Sequence, residues 1–169
     1  MEPRPIHTER LILIPVTSKV ASDLALGSTR ELEGMGLRTN GRWPRQDTLD
    51  ILPFVTQAFQ ENPQSTGFEF WMIVRKDSMA IIGDIGFHGI PDDQGVVEIG
   101  YGLIEEAQRK GYGHESLQAM MEWAKAHKQV TAIRADCLVT NVPSIRVLEK
   151  SGMKQTHRDR NTIYWELMT

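Results

Sequence analysis

Between Phe68 and Leu103 three stretches rich in apolar, aromatic and β-branched residues follow one another with only turn signals between them. Phe68–Arg75 runs into Lys76-Asp77-Ser78, Ala80–His88 runs into Pro91–Gly95, and Val96–Leu103 comes next. Connections this short cannot hold the crossover that parallel neighbours need. The three strands are therefore expected as an antiparallel meander, with the first two forming a hairpin. A meander of this kind excludes a regular βαβ alternation and, with it, a simple doubly wound fold.

The flanking segments fill in a mixed sheet. Arg10–Val16 reads as a strand that stops at Pro15. Ser18 is expected to cap a short helix that holds Ala21, Leu24 and Ala25 inside and ends at Gly27. Residues 30–45, with Gly34, Gly36, Gly41 and Pro44, read as a loosely helical loop. Asp47 opens a clearer helix whose apolar residues Ile51, Phe54, Val55, Ala58 and Phe59 fall at helical spacing, and Asn62-Pro63 ends it. Gly113–Lys128 carries Leu117, Met120, Met121 and Ala124 on one stripe. Thr131–Leu138 reads as a strand and Val142–Lys150 as a helix between Asn141, a good cap, and Gly152, a good stop. Met153–Arg158 and Tyr164–Met168 close the chain as two strands.

Composition narrows the function classes. A chain of 169 residues is expected as one domain, residues 1–169, with a core that needs no staple. A net charge of −3 leaves no basic field for nucleic acid. The single cysteine, Cys137, excludes an internal disulfide and a cysteine-based zinc site, and it fits a reducing cytoplasm. His7, His88, His114, His127 and His157 show no HxxH or HxxxH spacing, so no metal is expected. No apolar run approaches the ~20 residues of a membrane helix, and no secretory pattern is read at the N-terminus. A cytoplasmic location with neither membrane nor nucleic-acid partners is expected.

The most informative stretch is Gln108-Arg109-Lys110-Gly111-Tyr112-Gly113-His114. It follows a strand end near Leu103 and a short acidic turn, and its two glycines open a helix. Unpaired N–H groups at a helix start attract anions, helped by the positive end of the dipole. Gly111 and Gly113 let backbone approach a phosphate closely, and Arg109 and Lys110 add two cations. The stretch can cradle a pyrophosphate; a glycine turn with solvated basic side chains is the bland alternative. The Walker pattern GxxxxGK[ST] is absent. The dinucleotide fingerprint fails at Ser116 and in its distance from the strand, although Asp136 lies about 20 residues on.

The preceding strand adds a second clue. Val97, Ile99, Tyr101 and Leu103 alternate onto one face, and Glu98, Gly100 and Gly102 onto the other. Two glycines on one face suggest close approach by a ligand or another backbone. Glu98 is then the reactive side chain of the cleared face, unless it is an exposed glutamate on an edge strand.

The Gln-x-x-Gly-x-Gly pattern of residues 108–113 resembles the acyl-CoA signature of the GNAT superfamily of N-acetyltransferases. VEIGYGL (97–103) resembles that superfamily's central strand. TNVPSIRVLEKSGM (140–153) resembles its NxxSxxVLEKxGF segment, with Asn141, Ser144, Glu149, Lys150 and Gly152 in register. TERLILIP (8–15) and the strand-rich ending resemble the branch typified by ribosomal-protein N-terminal alanine acetyltransferases. The resemblance spans nearly the whole chain and is weak across residues 17–68.

The resemblance implies a mixed, mostly antiparallel α/β sheet of seven strands flanked by about four helices. Two neighbouring parallel strands would splay apart, and acetyl-CoA, as co-substrate, would enter the wedge. Leu103 and Ile104 would hold the pantetheine arm through backbone groups. The amides of Arg109, Lys110, Gly111, Tyr112, Gly113 and His114 would hold the pyrophosphate. Asn141 matches the family asparagine that contacts the cofactor, and Lys150 is a nearby candidate. The expected chemistry is direct attack of a primary amine on the thioester. An alkyl amine, with a pKa of about 10.4, must first lose a proton. Glu98 matches a position where many family members carry the base, and burial is expected to raise its pKa to a useful value. Leu148 stands where many members have a general-acid tyrosine. Ser144 is the candidate replacement, unless it serves merely as cofactor ligand or helix cap.

On the same resemblance, residues 18–62 and 155–165 would line the acceptor side, with Trp43-Pro44 a candidate wall. The acceptor is read as an amine-bearing small molecule or a protein N-terminus, and the protein as a monomer or homodimer. Two rivals are an acyl-CoA sensor without turnover and a nicotinamide-dinucleotide oxidoreductase. The meander ahead of the glycine loop argues against the second.

Overall fold

The computed structural model describes residues 2–169. In chain order the strands are β1 (Ile6–His7), β2 (Leu11–Pro15), β3 (Phe70–Arg75), β4 (Ile81–Phe87), β5 (Val96–Leu103), β6 (Ala132–Leu138), β7 (Lys154–Arg158) and β8 (Thr162–Met168). The helices are α1 (Ser18–Ala25), α2 (Arg30–Gly34), α3 (Gln46–Glu61), α4 (Tyr112–Lys125) and α5 (Val142–Lys150). The strands form one sheet in the order β1-β2-β3-β4-β5-β6-β8-β7. The β3-β4-β5 meander sits at its centre, as its short turns require. Every pair is antiparallel except β5–β6, whose parallel pairing is allowed by the α4 crossover. The two-residue β1 makes the sheet eight-stranded, and the single turn of α2 makes a fifth helix.

Two layers cover the sheet unequally. One face packs against α4 and α5 through Ile85, Ile99, Leu117, Met120, Ile133 and Trp165. The other packs against α1–α3 through Val20, Leu24, Leu52, Phe59, Met72 and Val74. Those three helices stop at the meander. Every residue of β4 is buried, whereas in β6 Arg134, Asp136 and Leu138 are exposed between buried neighbours. One face of the β5-β6-β8-β7 half is therefore open to solvent beside the β5–β6 junction.

Three local expectations change. The cap of α1 is Thr17, whose Oγ1 accepts from the Val20 N–H at 3.2 Å, rather than Ser18. The chain between 30 and 45 is more ordered than a loop: α2 forms, Arg38 bridges Ala80, and Trp43 is buried. α3 turns its Thr48-Leu52-Phe59 face inward and leaves Phe54 75% exposed. Thr48 sets that phase by bonding a buried carboxylate, so a polar residue occupies an inward position that apolar spacing misses.

Candidate active site

β5 and β6 pair through only three positions, Val96↔Ala132, Val97↔Ile133 and Glu98↔Arg134, and then part. Each keeps its outer neighbour past that point: β5 pairs with β4 as far as Leu103, and β6 with β8 as far as Leu138. The gap is a cleft of about 250 Å³ reached by Gly100, Tyr101, Cys137, Asn141, Ser144 and Leu148.

The inner edge of β5 supplies unpaired peptide groups. Glu98 O accepts from His88 N at 3.0 Å, and Ile104 N donates to Ile82 O at 2.8 Å. Even-numbered residues thus serve β4; the Glu98↔Arg134 pairing takes up the Ile99 N–H, so by alternation the C=O of Ile99 and the peptide groups of Tyr101 and Leu103 face the cleft. An extended ligand with alternating amides and carbonyls can pair there as a strand would. Leu103 lies on this edge as expected, although its carbonyl already accepts from Gln108 Nε2 at 3.2 Å. The Ile104 N–H points the other way, to Ile82 O, which leaves its C=O, shared with Ala107 N, as the backbone group of that residue on offer to the arm.

At the end of that edge the chain turns into α4. Arg109 (φ 64°) and Gly111 (φ 85°) are both left-handed, a conformation costly for arginine. A network from the β1–β2 turn holds the loop in place. Arg10 Nη1 donates to Lys110 O at 2.8 Å, and Arg10 Nε donates to Glu115 Oε1 at 2.7 Å. Glu115 Oε2 accepts from Thr8 Oγ1 at 2.6 Å and from Arg10 N at 2.9 Å. The Arg10 guanidinium also lies 4.3 Å from the Tyr112 ring centroid. Desolvation alone would raise the Glu115 carboxyl, but the bonds from Thr8 and Arg10 outweigh it and hold its pKa below the usual range. Gly111 caps α4 without a side-chain bond, so the first amides of the helix point outward unpaired. This cradle suits an anion. Beside it runs a groove reached by Arg10, Gly111, His114, Gln118 and Lys150. His114 meets Ser151 Oγ at 3.3 Å. Partial burial, with the Lys150 charge second, holds its imidazole pKa below the ordinary value.

Deeper in the cleft a hydroxyl pair faces the gap. Tyr101 Oη donates to Ser144 Oγ at 3.4 Å, and Leu148 packs beside them. Burial raises the Tyr101 pKa, with the Ser144 bond opposing, so the phenol keeps its proton. Sequence reasoning did not single out Tyr101 as a candidate for the cleft. The signal was present: it is the one hydroxyl on the otherwise aliphatic face of β5. Asn141 Oδ1 accepts from Ser144 N at 3.3 Å, a helix cap that leaves the amide NH₂ for other partners.

Glu98 lies on the opposite, open face of β5, with its side chain 54% exposed and its Oε2 2.9 Å from His88 Nδ1. The burial expected around it is missing, because α1–α3 do not extend over the Glu98 end of β5. The buried carboxylate is Asp84, opposite Gly102 in β4, which sequence reasoning also missed. Its Oδ2 accepts from Trp43 Nε1 at 2.9 Å and from Thr48 Oγ1. Burial pushes the Asp84 pKa up against those bonds. Trp43 is accordingly buried against Asp84, the packing alternative to a wall of the acceptor side.

An open parallel junction feeding a glycine-opened helix is the arrangement that the resemblance to acetyl-CoA-dependent N-acetyltransferases implies. The model of the acetyltransferase (GNAT) domain matches residues 10–154, and the chain belongs to that family. It is 32% identical over 164 residues to the uncharacterized N-acetyltransferase YjdG of Bacillus subtilis, covering 97% of this chain and 98% of the relative. Its fold matches a ribosomal-protein alanine acetyltransferase from Vibrio fischeri with a TM-score of 0.68 at 16% identity, over 97% of this chain and 96% of that one. It also matches a microcin self-immunity acetyltransferase solved with acetyl-CoA and AMP, with a TM-score of 0.66 at 14% identity, over 96% and 94% of the two chains. The protein is an acetyltransferase, and acetyl-CoA is its acetyl donor. Among the described residues no helix is long and apolar enough to cross a membrane.

Proposed function

We propose that the protein transfers acetyl from acetyl-CoA to a primary amine by direct attack in a ternary complex. The observation that carries this reading is the unpaired inner edge of β5, which runs from the anion cradle of α4 to the open sheet face bearing Glu98. The thioester supplies an activated acetyl group. The free amides of Tyr112, Gly113 and His114 bind the pyrophosphate, with Arg109 and Lys110 adding charge and Lys150 standing across the groove. The C=O of Ile99 and the peptide groups of Tyr101 and Leu103 bind the pantetheine arm, and Asn141 adds an amide from α5. An N–H on this edge stabilises the oxyanion as it develops.

Glu98, paired with His88, receives the proton of the attacking amine on the open face. Tyr101 and Ser144 offer a proton to the departing thiolate from the cleft side, which answers the absence of a tyrosine at Leu148. A thiol of pKa about 8.5 needs modest help, so this acid contributes less than the base. The acceptor is a peptide N-terminus or a small amine reaching the open face. Thiol release across an amine panel tests the reading. Turnover that falls about 100-fold in Glu98→Gln is expected. Acetyl-CoA binding without thiol release from any amine would favour an acyl-CoA sensor.

A further inference from the structure

Arg45 stands at the start of α3, and its guanidinium rests on Gly102, on the sheet face that also carries Gly100 and Glu98. A Cβ at Gly102 would lie 1.7 Å from Nη2, 2.3 Å from Cζ and 2.8 Å from Nη1. The missing side chain at Gly102 is therefore the seat of this arginine. The seat explains one of the two glycines that the sequence places on the cleared face.

The arginine is poorly satisfied there. Its side chain is only 24% exposed, yet a guanidinium has five N–H donors. Among the described residues those donors meet one acceptor, Asp47 Oδ2 at 3.4 Å, on a carboxylate that is itself 80% exposed. Nε is buried without a partner. The Arg45 charge opposes the burial that raises the Asp84 pKa, but the Oδ2 of Asp84 is taken by Trp43 and Thr48, and among the described residues Arg45 makes no hydrogen bond or salt bridge with it. A largely desolvated cation with most donors unused is costly unless something completes it. A planar, bidentate anion matches the fork of an arginine best.

We infer that the acceptor carries a carboxylate, and that Arg45 receives it while the amine lies toward Gly100 and Glu98. The inference rests on the reading of the β5–β6 cleft as the site of acetyl transfer. Gly102 and Gly100 are two residues apart on one strand, about 7 Å. That separation suits a carboxylate a few bonds from the amine. A free amino acid provides one, and so does a peptide whose N-terminal region holds an acidic side chain. Arg45 is on this account a specificity-determining residue rather than a part of the acetyl-CoA site.

The test is equilibrium titration of the full-length protein, with and without CoA, using product-like probes. N-acetylalanine and N-acetylleucine are compared with their carboxamides, and acetyl-Ala-Asp-Ala amide with acetyl-Ala-Asn-Ala amide. The wild type is expected to bind the acid at least tenfold more tightly than its neutral partner in one of the two arms, and that arm identifies the source of the carboxylate. Arg45→Gln is expected to reduce the ratio to less than twofold while leaving CoA affinity unchanged. Should Arg45→Gln fail to fold, Arg45→Lys keeps the charge and loses the fork, and an intermediate ratio is expected. Equal behaviour of acid and neutral partner in the wild type, including no binding of either, overturns the inference. So does a loss in Arg45→Gln that is the same for both partners, the mark of a structural role. Failure to bind CoA would remove the transferase reading, and the acid-to-neutral ratio measured without CoA would still decide the role of Arg45.

Discussion

The β2-β3-β4 half of the sheet is covered on both faces, and the β5-β6-β8-β7 half on one. The first half stores stability: Trp71, Met72, Ile73 and Val74 are fully buried in succession along β3. The second half holds the cleft. Buried and exposed residues alternate along β6, β7 is exposed throughout, the one parallel pair opens after three positions, and the free face meets solvent. A cleft of this kind needs a rigid neighbour, because β5 can leave its inner edge unpaired only while its outer edge stays bonded to β4. The division of labour between the halves gives the account its sharpest tests.

The largest expected effect is on stability. Trp71→Ala removes a fully buried side chain from the closed half and should cost about 3–5 kcal/mol, read from a denaturant midpoint. Leu138→Ala, on the exposed face of β6, should change the same midpoint by less than about 0.5 kcal/mol. Equal losses would erase the distinction between the halves. Next comes the loop clamp. Arg10→Ala should weaken acetyl-CoA binding roughly tenfold, because charge-assisted bonds of about 1.5–3 kcal/mol hold the left-handed Arg109–Gly111 turn. The turnover number at saturating acetyl-CoA should stay within about threefold, since Arg10 lies outside the cleft. A lower turnover with unchanged affinity would place Arg10 in the chemistry instead.

A smaller effect is expected from the hydroxyl pair. Tyr101→Phe should lower the turnover number by about tenfold, and Tyr101→Phe combined with Ser144→Ala little further if the two act as one donor. Additive losses would separate their roles. The smallest effect is the acid response of the clamp. The Glu115 pKa is depressed in the fold, so its contribution is present above the unfolded value of about 4.3 and fades as pH falls through the folded value. Acetyl-CoA affinity should decline in that acid window, and Glu115→Gln should flatten the decline. An unchanged slope in the variant would remove Glu115 from the clamp.

Legibility followed the same division. The meander, α4 and α5 were readable because apolar periodicity and turn residues act locally, and the Gln108–Gly113 loop because its left-handed turn into α4 calls for glycine at Gly111. The phase of α3 was not readable, since Thr48 is buried for a partner 36 positions away, at Asp84. Glu98 was rightly assigned to the face of Gly100 and Gly102, but its exposure depends on where α1–α3 stop, which no local pattern encodes. Alternation puts Tyr101 among aliphatic residues, and its hydroxyl stands out only when α5 brings Ser144 to it. The seat of Arg45 on Gly102 is likewise tertiary: the sequence marks the gap and not the side chain that fills it.

Backbone amide exchange with and without acetyl-CoA tests the central claim most directly. Binding along the open edge of β5 predicts new protection at Tyr101 and Leu103 and at Tyr112, Gly113 and His114. The amides of Gly102 and Ile104, on the β4 side, should change little. Protection elsewhere with these two groups unaffected would contradict the account.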